Sequence, residues 1–219
     1  VDKTQLTAFL EPMKSFLPTF ENDISMGLGV FNGGGILIGL IGIMLSKNFA
    51  DKYGKRNVFG ASLFVSTLFI ILFYFYPPQS VGLMFGSQIL HMFFYGISTP
   101  ILWTMIADVA DYSEWKNNRR ATAIIFSAMM VGLKGGLSIG SSLLTLILGI
   151  FNYQPKTELA QSAETINGIK MLVSIFPAIP FLIAVGLLTF YEINKKMATR
   201  LKSCHAFSNR KIKVSYIKL

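Results

Sequence analysis

Between about Met26 and Tyr191 the chain is a series of five long apolar runs joined by short polar connections. Run length is the decisive quantity. The hydrocarbon core of a bilayer is about 30 Å thick and a helix rises about 1.5 Å per residue, so about 20 apolar residues cross it. The runs fall at about 26–49, 58–76, 81–107, 121–151 and 168–191. A soluble domain seldom strings five such runs in sequence, and in lipid the backbone must satisfy its own hydrogen bonds, as a helix does. The fold class is therefore all-α, a polytopic transmembrane bundle of about five spans. Composition agrees: 52% of the 219 residues are hydrophobic and 14% charged, with a mean hydropathy of +0.52.

Local signals refine the spans. The first carries Gly33, Gly34, Gly35, Gly39 and Gly42. Each would weaken a helix in water by about 1 kcal/mol relative to alanine, whereas in a membrane glycines admit a neighbouring helix at close range. Pro77-Pro78 stops the second span. The fourth is longer than a bilayer requires, which predicts tilt or protrusion. Pro177 and Pro180 predict a kink in the fifth.

Charge sets the topology. Net charge is +9, but fifteen of the 20 basic residues sit in alternate connections: Lys47, Lys52, Lys55 and Arg56; then Lys116, Arg119 and Arg120; then a tail from Lys195 to Lys218. The intervening connections carry Lys156 alone. The positive-inside rule puts the rich segments in the cytoplasm, with the C-terminus there and the N-terminal segment outside. No basic face with interleaved aromatics appears, so nucleic acid is not an expected partner. The basic tail can also attract anionic lipid, although a topology signal accounts for it. Cys204 is the one cysteine, so neither a disulfide framework nor a cysteine metal site is available. Residues 1–25 read as an extracytoplasmic loop remnant, 26–191 as the membrane region and 192–219 as a basic cytoplasmic tail. The start at Val1, with no signal sequence, suggests a fragment whose upstream part is absent.

Three places carry chemistry. The turn from Asp51 to Arg56 reads either as a charged cytoplasmic turn or as a gate-side charge relay. Asp108, Asp111 and Glu114 follow one another at intervals of three at the exit of the third span, sharing a helix face, with Arg119 and Arg120 beyond. They suit an ionic lock that opens and closes, or a static salt-bridge network. A magnesium site for diphosphate needs a second acidic cluster, and the sequence has none. Lys134 lies near the middle of the fourth span, followed by Gly135-Gly136. An ammonium there costs about 2.5–3.5 kcal/mol on insertion scales, so it should face a wet cavity or a buried acid. The five spans offer no acid at that depth, which places its partner in helices outside this chain. Met129 and Met130 lie one turn before it and either share its cavity or pack. His91 reads as a packed or hydrogen-bonded residue rather than a proton carrier. Trp103, Tyr95 and Phe94 are candidates to stack on a sugar ring.

Taken together, these segments resemble the glycoside–pentoside–hexuronide:cation symporters, the melibiose-permease-like sugar transporters of the major facilitator superfamily. The stretch Ala107-Asp108-Val-Ala-Asp111-Tyr112-Ser-Glu114-Trp115-Lys116 with Arg119 is similar to a hallmark of that family. Asp51-Lys-Tyr-Gly54-Lys-Arg56 resembles its loop between spans eight and nine, Lys134-Gly135-Gly136 its span-eleven lysine, and Gln161 with Gly168-Ile169 the approach to span twelve. The resemblance covers about Gly27 to Lys196. It implies spans eight to twelve, the C-terminal part of a fold with two six-helix halves around a cavity. It further implies that Lys134 faces a sugar and cation cavity, which Met130, Met129 and Trp103 are candidates to share. Asp108, Asp111, Glu114 and Arg119 would form a cytoplasmic gate with Lys52, Lys55 and Arg56. The coupling ion, sodium or proton, would bind mainly in the missing N-terminal half, with no other cofactor or metal.

The expectation is thus a bacterial inner-membrane, multi-pass transporter of a sugar or glycoside driven by cation symport, not an enzyme, with the bilayer and the missing helices as partners. Two alternatives stand beside it. One is a proton-coupled exporter of the same superfamily. The other is a membrane-embedded, metal-dependent lipid-modifying enzyme using Asp108, Asp111 and Glu114. A non-transporting structural fragment is a fourth reading of so short a chain.

Overall fold

The computed structural model describes residues 23–77, 80–117, 119, 121–153, 162–193, 197 and 199–200. Among these residues five long α-helices follow in order: α1 Asp23–Tyr53, α2 Lys55–Phe75, α3 Val81–Asn117, α4 Thr122–Ile150 and α5 Ala163–Leu187, the last extended by a 3-10 turn, Leu188–Phe190. Each is long and apolar enough to cross a bilayer. This is an all-helical, multi-pass membrane protein.

Several bounds differ from those read in the sequence. α1 begins at Asp23, inside the segment expected to be loop. α3 runs on to Asn117 rather than stopping near Ala107, so Asp108, Asp111 and Glu114 all ride one helix. Their polarity marks where the helix leaves lipid, not where it ends. α5 starts at Ala163 because Ser162 caps it, its hydroxyl accepting from the Thr165 amide at 3.1 Å. α5 stays helical through Pro177 and Pro180, as α3 does through Pro100. Gln161, Arg120, Lys156 and nearly all of the tail lie outside the described residues.

α1 and α2 are joined by a single residue. Gly54 holds φ 89°, a backbone region where a side chain would be strained, and its amide still donates to the Ala50 carbonyl at 2.9 Å. The two helices therefore fold back on each other with α3 alongside both. The α1–α3 seam is made by glycine. A Cβ on Gly42 would lie well inside 3.0 Å of the Phe93 carbonyl oxygen, and one on Gly96 equally close to that of Gly39. Backbone meets backbone there, which in lipid supplies the dispersion contact that hydrophobic burial supplies in water. Only part of the glycine cluster does this: Gly35, Gly39 and Gly42 face α3, whereas Gly33 and Gly34 meet open space.

The core lies between α2, α3 and α5. Val58, Phe59 and Leu63 of α2 pack on Ile97, Ile101 and Met105 of α3, flanked by Phe181, Ala184 and Val185 of α5. Buried hydroxyls in this zone turn back to their own helix: Ser62 donates to the Val58 carbonyl at 2.6 Å and Thr67 to that of Leu63 at 2.7 Å. Small polar residues thus sit in a membrane core without an unpaired group. Ser66 reaches across instead, its hydroxyl 2.8 Å from His91 Nδ1.

α4 stands apart, for none of its residues is buried. It is tied at its far end, where Thr165 of α5 donates to the Phe151 carbonyl at 2.8 Å and Gly168 leaves room for the Phe151 ring.

Candidate functional site

The charged residues singled out in the sequence divide into two places. One is the end of the bundle where the α1–α2 turn meets α3. Gly54 ends α1 and starts α2 at once, which brings Lys55 and Arg56 into the first turn of α2, Lys55 beside Thr104 and Asp108 of α3 and Arg56 beside the 3-10 turn after α5. Lys55 Nζ donates to Asp108 Oδ2 at 2.6 Å, with 23% of the lysine side chain and 10% of the aspartate side chain exposed. The same ammonium lies 3.4 Å from the Thr104 carbonyl oxygen. Arg56 turns the other way and donates to the Thr189 carbonyl at 3.2 Å, fastening α2 to the end of α5. Tyr191, just past that end, donates its hydroxyl to the Met105 carbonyl at 3.4 Å. Burial, and then the Asp108 carboxylate nearby, push the Tyr191 phenol well above its ordinary range, so it stays a donor.

The network therefore ties three helices of one packed unit. Asp108 takes Lys55 as its partner rather than Arg119, which sits exposed in the α3–α4 turn and has no ion pair among the described residues. Asp111 and Glu114 continue along α3, half-buried. Lys52 points its ammonium at the Tyr53 ring, 5.2 Å from the centroid. The sequence reading missed the contacts of Arg56 and Tyr191. A tyrosine at a span end reads as an interface anchor, and nothing local names a carbonyl eighty-six positions earlier as its acceptor.

The other place is α4. Lys134 is exposed, roughly 18 Å along the helix axis from Thr122. Among the described residues it makes no hydrogen bond or ion pair. Ser138 and Ser142 follow at one and two turns on the same face and border a shallow recess of about 310 Å³ with Leu143 and Leu146. Met130 is exposed and Met129 half-buried. Trp103 is exposed on α3. Neither Lys134 nor Trp103 lines that recess.

His91 belongs to neither place. Its Nδ1 lies 3.1 Å from the Ser66 carbonyl oxygen and its ring stacks on Tyr95 at 5.8 Å, with Phe181 of α5 beyond. It is a packed, hydrogen-bonded histidine between α2, α3 and α5.

Comparison with known proteins adds the family. YicJ of Escherichia coli strain K12, an inner membrane symporter, is 33% identical over 145 residues, 66% of this chain and 31% of that protein. YagG of the same strain, provisionally named a glycoside/cation symporter, is 28% identical over 159 residues, 73% of this chain and 34% of that protein. The isoprimeverose transporter of Lactiplantibacillus pentosus is 29% identical over 177 residues, 79% of this chain and 36% of that protein. The chain spans about a third of the length of each of these relatives. No solved structure matches it. A profile described as MFS/sugar transport protein matches residues 6–195. The chain belongs to that family.

Proposed function

We propose that these five helices are the C-terminal part of a bacterial inner-membrane symporter that carries a sugar or glycoside with sodium or a proton. The observation that carries this reading is the contrast between Lys134 and its helix. α4 buries nothing, yet it holds a cation at mid-depth, which lipid penalises by about 2.5–3.5 kcal/mol. A helix of this kind fits the wall of a wet cavity whose other wall lies outside the chain. Lys134 there answers carboxylates and sugar hydroxyls, Met129 and Met130 flank it, and Trp103 offers a ring to stack on a pyranose face. The relatives' names, glycoside/cation symporter and isoprimeverose transporter, support the substrate class.

Alternating access then follows as a rocking of this unit against the rest. The Lys55–Asp108 pair lies inside the unit, next to the packed core of Met105 and Val58, so it travels with the unit instead of breaking. Arg119 and Glu114 are the groups placed to meet a partner across the moving boundary. The metal-dependent enzyme loses its first ligand in this arrangement, because Asp108 already holds Lys55.

The test is uptake of labelled glycosides into vesicles bearing the intact transporter, with sodium and proton gradients imposed separately. Lys134→Ala should abolish gradient-driven accumulation while leaving the protein inserted. Full accumulation by that variant removes Lys134 from the cavity and the reading with it.

A further inference from the structure

Along the α1–α3 seam, at the end remote from Lys55 and Asp108, Phe31 meets Phe85 edge-on at 5.3 Å. About two turns further on, the two backbones close on each other at Gly39 and Gly96. Gln88 of α3 lies between these contacts. Its amide nitrogen is 3.4 Å from the point that a Cβ on Gly35 would occupy, with Met92 Cγ 3.0 Å from the same point. A side chain at position 35 would press on Met92 and crowd the amide.

Gln88 is only 8% exposed, yet its amide makes no hydrogen bond among the described residues. It is the exception there. Every other buried polar side chain among them has a partner: the serines and threonines bond a carbonyl or a ring nitrogen, and Asp108 bonds Lys55. A buried amide without a partner is costly, and folded proteins keep few of them. No side-chain nitrogen or oxygen among the described residues is both enclosed and unbonded, so the Gln88 amide opens to the space outside the two helices. A molecule entering from there can reach it.

The surroundings name the class of that molecule. α1 has no lysine or arginine before Lys47, α2 none after Arg56 and α3 none before Lys116. The three helices carry one charge at this end, Asp23. Nothing on them attracts a phosphate or a carboxylate, so the ligand is uncharged where it meets Gln88. An amide offers an acceptor oxygen and a donor nitrogen side by side, whichever way it is turned. Two neighbouring hydroxyls on a sugar ring complement it, one donating to the oxygen and the other accepting from the nitrogen. Position fits an entrance. Gln88 is about 10 Å from the start of α3 and about 30 Å from Asp108, a full hydrocarbon thickness. Lys134 lies deeper, about 24 Å from the end of α4 on the same side of the bundle.

We propose that Gln88 binds the cargo at the mouth of its path, holding two neighbouring hydroxyls of an uncharged sugar ring before the ring moves inward to Lys134. This rests on the reading of the chain as part of a glycoside transporter. It adds a specificity-determining residue on a different helix from Lys134.

Calorimetric titration of the intact transporter tests it. The probes are methyl β-D-xylopyranoside, methyl β-D-glucopyranoside and methyl α-D-galactopyranoside, each with its monodeoxy derivatives. The wild type should bind at least one parent glycoside, and Gln88→Leu should weaken that binding about tenfold, the worth of two hydrogen bonds between neutral groups. A derivative lacking one of the two paired hydroxyls should bind wild type and Gln88→Leu within about threefold of each other. Melting of Gln88→Leu should be unchanged or higher, since the substitution removes an amide that the protein itself leaves unbonded. A fall in its melting temperature overturns the proposal, because the amide then serves packing. Equal affinity of the two proteins for every probe overturns it, as does the failure of every probe to bind. Lys134→Ala is read separately, in accumulation. Accumulation lost in Lys134→Ala with affinity unmoved by Gln88→Leu sinks the Gln88 contact alone, and the converse sinks the role of Lys134 alone.

Discussion

α3 and α4 are both long apolar helices with a charge embedded in them, and they are packed in opposite ways. α3 meets α1 through Gly96, α2 through Ile97, Ile101 and Met105, and α5 through Tyr95. Its buried carboxylate, Asp108, has a cation 2.6 Å away. α4 has Gly132, Gly135, Gly136, Gly140 and Gly149 with open space beside each, and its cation has no partner among the described residues. Similar hydropathy thus conceals different roles. A charge with a partner on a packed helix holds a unit together. A charge without one, on a helix that buries nothing, requires something outside the unit.

The sharpest way to break this contrast is to add volume to each helix. Gly96→Leu and Gly42→Leu drive a side chain into backbone, which no rotamer relieves, and should cost about 3 kcal/mol or more. The readout is a large fall in the melting temperature of the purified chain, or loss of a monodisperse peak. Gly136→Leu on α4 should leave melting unchanged within about 0.5 kcal/mol. Equal damage from Gly136→Leu and Gly96→Leu would mean that α4 is packed as tightly as α3.

The next largest difference concerns the two charges. Lys134→Gln removes charge-assisted contacts to cargo or counter-acid, worth about 1.5–3 kcal/mol, so apparent glycoside affinity should fall about tenfold or more with melting unaltered. Asp108→Asn should do the reverse, lowering melting and leaving affinity nearly intact. A variant pair that moves both readouts together would erase the distinction between structural and cargo-facing charge.

Sequence revealed these features unevenly, for physical reasons. Five spans were legible because lipid imposes run length. The close approach of a helix at Gly39 and Gly42 was legible from composition, but the idleness of Gly33 and Gly34 was not, because rotation about the α1 axis is set by Gly96 and Phe93 more than fifty positions on. Asp108 was expected in one gate network with Asp111, Glu114 and Arg119, together with Lys52, Lys55 and Arg56. Which cation it meets follows from the one-residue turn at Gly54, which fixes the α2 start, and Lys55 with it, against α3, a long-range consequence of one positive φ. α3 continues past the third apolar run because hydropathy reports where lipid stops, and a helix goes on as long as its backbone bonds do.

A double-mutant cycle sharpens the same point with a smaller effect. Lys55→Ala and Asp108→Ala should couple by about 1–2 kcal/mol in chain stability, a partly buried pair being screened less than a surface one. Asp108→Ala and Arg119→Ala should couple by less than about 0.5 kcal/mol. Coupling would also survive added salt in the first cycle, since neither partner is freely solvated. The reverse ranking would restore the Asp108–Arg119 lock and undo the view that Lys55 and Asp108 travel together.

The smallest effect separates two serines. Ser66 is fully buried on α2 and crosses to His91 on α3, so Ser66→Ala removes an interhelical bond. In membranes such bonds average about 0.6 kcal/mol, because an unfolded helix in lipid finds substitutes. Ser141 on α4 donates only to the Leu137 and Ser138 carbonyls of its own helix, both at 3.0 Å. Its loss leaves those carbonyls still held by the helix ladder, so Ser141→Ala should be neutral in melting. The hydroxyl of Ser141 has acceptor capacity facing open space, however, and on a cavity wall that capacity meets water or cargo. Ser66→Ala should therefore register in stability alone, and Ser141→Ala, if anywhere, in uptake. A melting shift from Ser141→Ala as large as that from Ser66→Ala would place Ser141 inside a packed interface, and α4 would no longer differ in kind from the helix it follows.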